Sequence, residues 1–129
     1  MKIAFHSNQL GLRGTEVSLY DYAIGNRDIL GNESIIISDA KADLTTLDKF
    51  RAQFPVYLYN DFSEVEKIID QEKIDAFYIQ KAGFNDGKLV KNAKNLVHTV
   101  FKHNEPHGEV YAYISEWLSQ EMSNGKFDF

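Results

Sequence analysis

The residues of this chain best suited to chemistry are its histidines, one arginine in a glycine-rich loop, and a lysine near the last histidines. His98, His103 and His107 fall close together in sequence. Neutral imidazoles bind zinc, copper or nickel, yet the spacing argues against a metal site. Pro106 interrupts any helix that would put His103 and His107 on one face, and alternation in a strand points His98 toward a core. His107 is different. It precedes Gly108 in a loop expected to leave the carboxyl end of a strand, beside Lys102. An imidazole and an ammonium there suit hydrogen bonding to a sugar hydroxyl or a phosphate. His6 ends the first apolar run, where cleft and core are equally open to it.

Positioning these groups requires a scaffold, and the first thirty residues supply its clearest sign. Lys2 to Ser7 reads as a strand, Asn8 to Gly14 as a loop with two glycines, and Thr15 onward as a helix. That order opens a nucleotide-binding α/β fold, in which the loop backbone and the helix N-terminus face negative charge. Thr15 is the expected N-cap and Glu16 complements the helix dipole. Val17, Tyr20, Ala23 and Ile24 form the expected buried stripe. The Gly11-Leu12-Arg13-Gly14 segment matches neither the GxGxxG nor the GxxxxGK[ST] spacing, so on spacing alone a tight turn accounts for it as well as a ligand does. A dinucleotide enzyme could use Glu33 or Asp39 for ribose, but it lacks its glycine fingerprint. A GxSxG elbow is absent. A receiver domain would need acidic residues where His6, Ser7 and Asn8 stand.

Further along, Glu33 to Ser38 (ESIIIS) is a continuous β-branched run, as expected for a parallel strand covered on both faces. A short helix over Leu44, Leu47, Phe50 and Phe54 should end at Pro55. Val56 to Tyr59 is the third strand. Ser63 and Glu66 form a capping-box pattern before a helix burying Val65, Ile68 and Ile69. Asp75 to Gln80, Asn95 to Phe101 and Val110 to Ile114 complete six strands. Asn85-Asp86-Gly87 reads as a turn, with one helical turn at Leu89-Val90. Ser115 and Glu116 cap a last helix carrying Trp117, Leu118 and Met122. The expected fold is α/β: a Rossmann-like, doubly wound, mainly parallel sheet of about six strands. Ligands on such sheets lie at the carboxyl ends of the strands. The loop 8–15, Asp39, the segment 81–85 and the loop 102–108 should therefore converge on one rim, bringing Gly14, Lys102 and His107 together.

Composition narrows the function classes. The 129 residues suit one domain, and a net charge of −5 argues against a nonspecific nucleic-acid surface. With no cysteine there is neither a disulfide nor a thiolate metal site. No apolar stretch reaches membrane-spanning length and Met1-Lys2 leads directly into a strand, so a soluble, cytoplasmic protein is expected.

Two passages carry a resemblance. RGTEVSLYDYA resembles the opening loop and first helix of retaining GT-B glycosyltransferases, the large family four in particular. HTVFKHNEPHGEVYAYISEWLS is similar to the segment running from the fifth strand to the sixth in their N-terminal domains, where a serine opens a helix as Ser115 does here. The likeness covers nearly the whole chain and is strongest to glycosyltransferases encoded by large DNA viruses of algae.

The resemblance implies that residues 1–129 form the acceptor-side domain of a two-domain enzyme whose C-terminal donor domain is missing, with the family's crossing near Lys126 to Phe129. The partners it implies are a nucleotide-diphosphate sugar, GDP-mannose being one candidate, and a glycan acceptor. A homodimer is a possible assembly. The scheme needs no cofactor, because helix N-termini and basic residues offset the diphosphate charge. Arg13, Gly14, Thr15 and Lys102 are the implied donor-binding residues, Arg13 standing where the family more often has glycine. The family's sugar-contacting histidine matches His98, His103 or His107; the following glycine favours His107, with His98 the second catalytic candidate. The competing reading is a non-catalytic nucleotide- or carbohydrate-binding module.

Overall fold

The isoleucine triplet shows why the sheet takes its form. In the computed structural model, which describes residues 1–126, Ile35, Ile36 and Ile37 are all buried. Successive side chains of a strand point to opposite faces, so Ile35 and Ile37 join one apolar cluster and Ile36 the other. Their strand, β2 (Glu33–Asp39), lies inside a six-stranded sheet of order β3-β2-β1-β4-β5-β6. The others are β1 (Lys2–Ser7), β3 (Val56–Tyr59), β4 (Ala76–Lys81), β5 (Lys94–Thr99) and β6 (Val110–Tyr113). Every pairing is parallel. The order reverses between β1 and β4, giving the expected doubly wound, Rossmann-like α/β fold.

Helices α1 (Gly14–Asp28) and α2 (Leu47–Arg51) cover one face, packing around Phe5, Ile36, Phe50 and Phe54. Helix α3 (Val65–Gln71) covers the other, burying Val65, Ile68 and Ile69 against Ala4, Ile37 and Phe77. A last helix, α4 (Glu116–Ser123), is capped as expected, the Ser115 hydroxyl accepting from the Leu118 amide at 3.2 Å. Of its expected apolar residues Leu118 is buried and Trp117 exposed.

Several local expectations are corrected. Helix α1 begins at Gly14 and its N-cap is Arg13, held extended at φ −73° and ψ 161°. Thr15 instead lies inside the first turn, and its hydroxyl donates to Glu16. Of the expected stripe Ala23 is buried and Tyr20 and Ile24 pack on the core, but Val17 is 49% exposed and the fully buried residues also include Glu16, Leu19 and Asn26. The cause is polar burial with dedicated partners. Asn26 donates to the Ser34 hydroxyl at 2.8 Å and the Glu33 carbonyl at 3.2 Å, so it can face the sheet without a desolvation penalty.

The capping box is formed by Asp61 and Glu64 around a 3₁₀ turn (Phe62–Glu64), two residues ahead of the expected Ser63–Glu66 pair. Glu66 accepts instead from the Lys91 and Asn92 amides. No helical turn forms at Leu89-Val90: the connections 82–93 and 100–109 both lack helix. Residues 127–129, where the crossing to a second domain is expected, lie outside the described residues.

Candidate functional site

The carboxyl end of β1 and that of β4 diverge at the point where strand order reverses, and α1 starts above the gap. A cleft of about 450 Å³ opens there. Ser7, Arg13, Gly14 and Thr15 line one side; Gln80, Lys81 and Phe101 line the other. Of the expected donor-binding residues, Arg13, Gly14 and Thr15 thus meet in one place. Lys81 lies on the rim expected for the segment 81–85, whereas Gln80 enters the sequence reading only as the end of a strand. Gln80 joins the cleft because β4 is the neighbour of β1 at the switch point, where ligands gather at carboxyl strand ends.

Gly14 leaves this edge open. A Cβ built there meets nothing within 4 Å, and its backbone does not need a positive φ. Glycine at this position is therefore not demanded by the fold; its consequence is an unobstructed approach to the Gly14 and Thr15 amides, the Glu16 and Val17 amides being taken by the Arg13 carbonyl.

Both cations of the cleft already hold a carboxylate. Arg13 donates to Glu16 at 2.8 Å, and this hydrogen bond raises the guanidinium pKa. Glu16 is buried while Arg13 is 62% exposed. Lys81 is buried and lies 2.7 Å from Asp86. Burial opposes the Asp86 charge, but the hydrogen bond from Lys81 and the Lys88 amide together hold its pKa below the usual carboxylate value. An anion entering the cleft thus meets two cations restrained by buried or half-buried partners, and meets oriented amides directly. Among the described residues the cleft lining contains no histidine, aspartate or glutamate.

The remaining expected site residues lie elsewhere. His107 is 8% exposed and sits late in the connection between β5 and β6. Because these strands are parallel, that connection must return to the sheet's amino edge. Glu109 bonds the Asn95 carbonyl, and Val110 pairs with Leu96. His107 accordingly stands level with the start of β5, away from the rim on which it was expected. Its Nδ1 donates to the Glu105 carbonyl at 2.6 Å, and its ring packs on Tyr111. Gly108, at φ +81°, lies against the Asn95 backbone and Val97. Its backbone freedom serves that turn, a packing role in place of the expected approach to a ligand.

Lys102 turns to α4, 2.7 Å from Glu121 and 5.0 Å above the Trp117 ring. Asp39 at the end of β2 accepts from the Lys41 amide and does not line the cleft. His103 stacks edge-on with Phe84. His98 leaves β5 on the α1 side, its Nδ1 2.6 Å from the Tyr78 hydroxyl. It lines a second, apolar groove beside Tyr22, Ile29 and Leu30. The three late histidines therefore face three different surroundings, and no group of three His, Asp or Glu among the described residues could hold a metal ion.

His6 belongs to the core. It is fully buried, stacks on Tyr59 and lies 2.7 Å from the Tyr59 hydroxyl through Nε2. Burial first, then the charges of Lys88 and Lys81, lowers its pKa to about 3. Burial also raises the Tyr59 pKa to about 12. No described helix is long and apolar enough to cross a membrane. Compared with known proteins, the chain finds no matching family model, no matching curated protein and no matching solved structure.

Proposed function

We propose that this chain is the acceptor-side domain of a retaining glycosyltransferase, and that the cleft between β1 and β4 receives the diphosphate of a nucleotide-sugar donor. The observation that carries the reading is the convergence of Arg13, the open Gly14 edge, the α1 amides and Lys81 on one cleft at the switch point. The resemblance of RGTEVSLYDYA to the family's opening loop supports the same cleft. The domain's part in transfer is to orient the donor and offset charge developing on the diphosphate. Acid–base groups are supplied from outside the cleft lining, since its titratable members are Arg13 and Lys81. A GDP-mannose donor and a glycan acceptor fit this scheme, which draws on no cofactor and is compatible with a cytoplasmic setting and with a homodimer.

That lining also favours a second reading, a non-catalytic binding module using the same cleft. One experiment separates them. The complete protein is incubated with GDP-mannose and other nucleotide-sugars in the presence of glycan acceptors, and the anomeric configuration of any product is determined. Transfer with retention supports the enzyme. Donor binding without transfer or hydrolysis supports the module, and inversion contradicts the enzyme reading.

A further inference from the structure

Gln80 is buried on the cleft floor, and its side chain is unusually well specified. Its Nε2 donates to the Ser18 hydroxyl at 2.9 Å and to the Tyr78 hydroxyl oxygen at 3.1 Å. A primary amide has two hydrogens, so both are used inside the protein. Oε1 lies 3.2 Å from the Ser18 hydroxyl, whose single hydrogen the Thr15 carbonyl also attracts at 3.1 Å. The oxygen therefore keeps acceptor capacity, and the nitrogen keeps no donor capacity.

The orientation of this amide is set two residues away. Tyr78 can accept from Gln80 only by directing its own hydrogen elsewhere, and His98 Nδ1 stands 2.6 Å from its oxygen. That bond requires a lone pair on Nδ1 and hence the Nε2–H tautomer. Burial lowers the His98 pKa, keeping the ring neutral. With the amide reversed, Oε1 would face a phenolic oxygen that has no hydrogen left to give.

We infer that Gln80 accepts a hydrogen bond from a sugar or ribose hydroxyl of the ligand in the β1–β4 cleft, and that His98 is a positioning residue that orients Gln80 through Tyr78. The inference rests on the nucleotide-sugar reading of that cleft and adds the division of labour within it. Phosphate oxygens are acceptors and go to the α1 amides and Arg13; hydroxyls are donors and go to Gln80.

The test follows side-chain and backbone amide resonances of the complete protein during titration with inorganic pyrophosphate, mannose and GDP-mannose. Mannose and GDP-mannose should shift the Gln80 side-chain amide, and pyrophosphate should shift Gly14 and Thr15 alone. In the free protein His98 should show the neutral Nε2–H tautomer. Gln80→Leu, Tyr78→Phe and His98→Leu should each weaken GDP-mannose binding on the order of tenfold, the effect of losing or misdirecting one hydrogen bond. His98→Asn, which places an amide oxygen near the Nδ1 position, should restore most of the loss. If pyrophosphate moves Gly14 and Thr15 while no hydroxylated probe moves Gln80, the inference is overturned and the ligand reading stands. Should no probe move any cleft resonance, the ligand reading fails and the inference with it. A His98→Asn variant no better than His98→Leu, or an Nδ1–H tautomer, overturns the positioning role.

Discussion

The two halves of the sheet are held by different means. Strands β3, β2 and β1 lie between α1 and α2 on one face and α3 on the other, their isoleucines and Phe5 meeting Phe50 of α2 and Val65 of α3 in the two apolar clusters. Strands β4, β5 and β6 are joined by helix-free connections pinned through polar side chains. The Tyr111 hydroxyl donates to the Gly83 carbonyl at 2.7 Å, Tyr113 donates to Asn104, and Asn95 bonds both backbone groups of Val90. On the α1 side, Tyr78, Leu96 and His98 are only half covered. The first half is stabilised by apolar area. The second also buries Phe77, Ile79 and Val97 on the α3 side, but its α1 side and its connections depend on hydrogen bonds worth about 0.5–1.5 kcal/mol each. The cleft lies on the seam, taking Arg13 and the α1 amides from the first half and Gln80, Lys81 and Phe101 from the other.

The contrast breaks most sharply at Ile36. Ile36→Ala removes a fully buried side chain and should lower unfolding free energy by about 2–5 kcal/mol in urea titrations. Leu96→Ala, half exposed, should lower it by no more than about 1.5 kcal/mol. Equal losses would mean that the second half is packed as tightly as the first.

Acid should act next, through His6. Its folded pKa of about 3 lies below the 6.5 of a free imidazole, so on acidification the unfolded chain takes up the proton first. The stabilisation is complete above 6.5 and is lost as pH falls toward 3. At pH 5 the loss should be about 2 kcal/mol. His98 is shifted in the same direction by burial. The carboxylates with lowered pKa, such as Asp61 and Glu64, respond only at lower pH. His6→Phe should therefore flatten stability between pH 6.5 and 5, and an unchanged slope would remove His6 as its source.

Smaller effects sharpen the second half. Tyr111→Phe should cost about 1 kcal/mol and speed amide exchange in residues 100–109 without affecting β2. Lys102→Ala, which loses an exposed ion pair and an exposed contact with the Trp117 ring, should change stability by no more than about 1 kcal/mol.

These differences also mark what the sequence revealed. Strand positions, parallel pairing and the glycine loop were legible because apolar runs such as Ile35–Ile37 report burial on both faces. The position of His107 was not, because the loop's composition says nothing of how far it travels before β6. A helix-free crossover places its last residues at the opposite edge from its first. On α1 the expected Tyr20, Ala23 and Ile24 do face the core, and the exception is Val17, displaced because Glu16 and Asn26 are polar yet buried on partners such as Ser34 that only the fold brings near. Arg13, Gly14 and Thr15 could be found from loop and helix signals. Gln80 and its relay to His98 needed the strand order.

The claim that the switch-point cleft, and not the His107 loop, is where ligand binds is tested most directly by a paired measurement on the complete protein. Gly14→Ala and His107→Ala are compared for GDP-mannose dissociation constant and urea midpoint. Gly14→Ala should keep its midpoint, because its Cβ enters open space, and should weaken binding on the order of tenfold. His107→Ala should lose about 1–2 kcal/mol of stability, having given up a buried ring and its hydrogen bond, and bind normally while folded. Normal binding in Gly14→Ala together with lost binding in a fully stable His107→Ala would contradict this assignment.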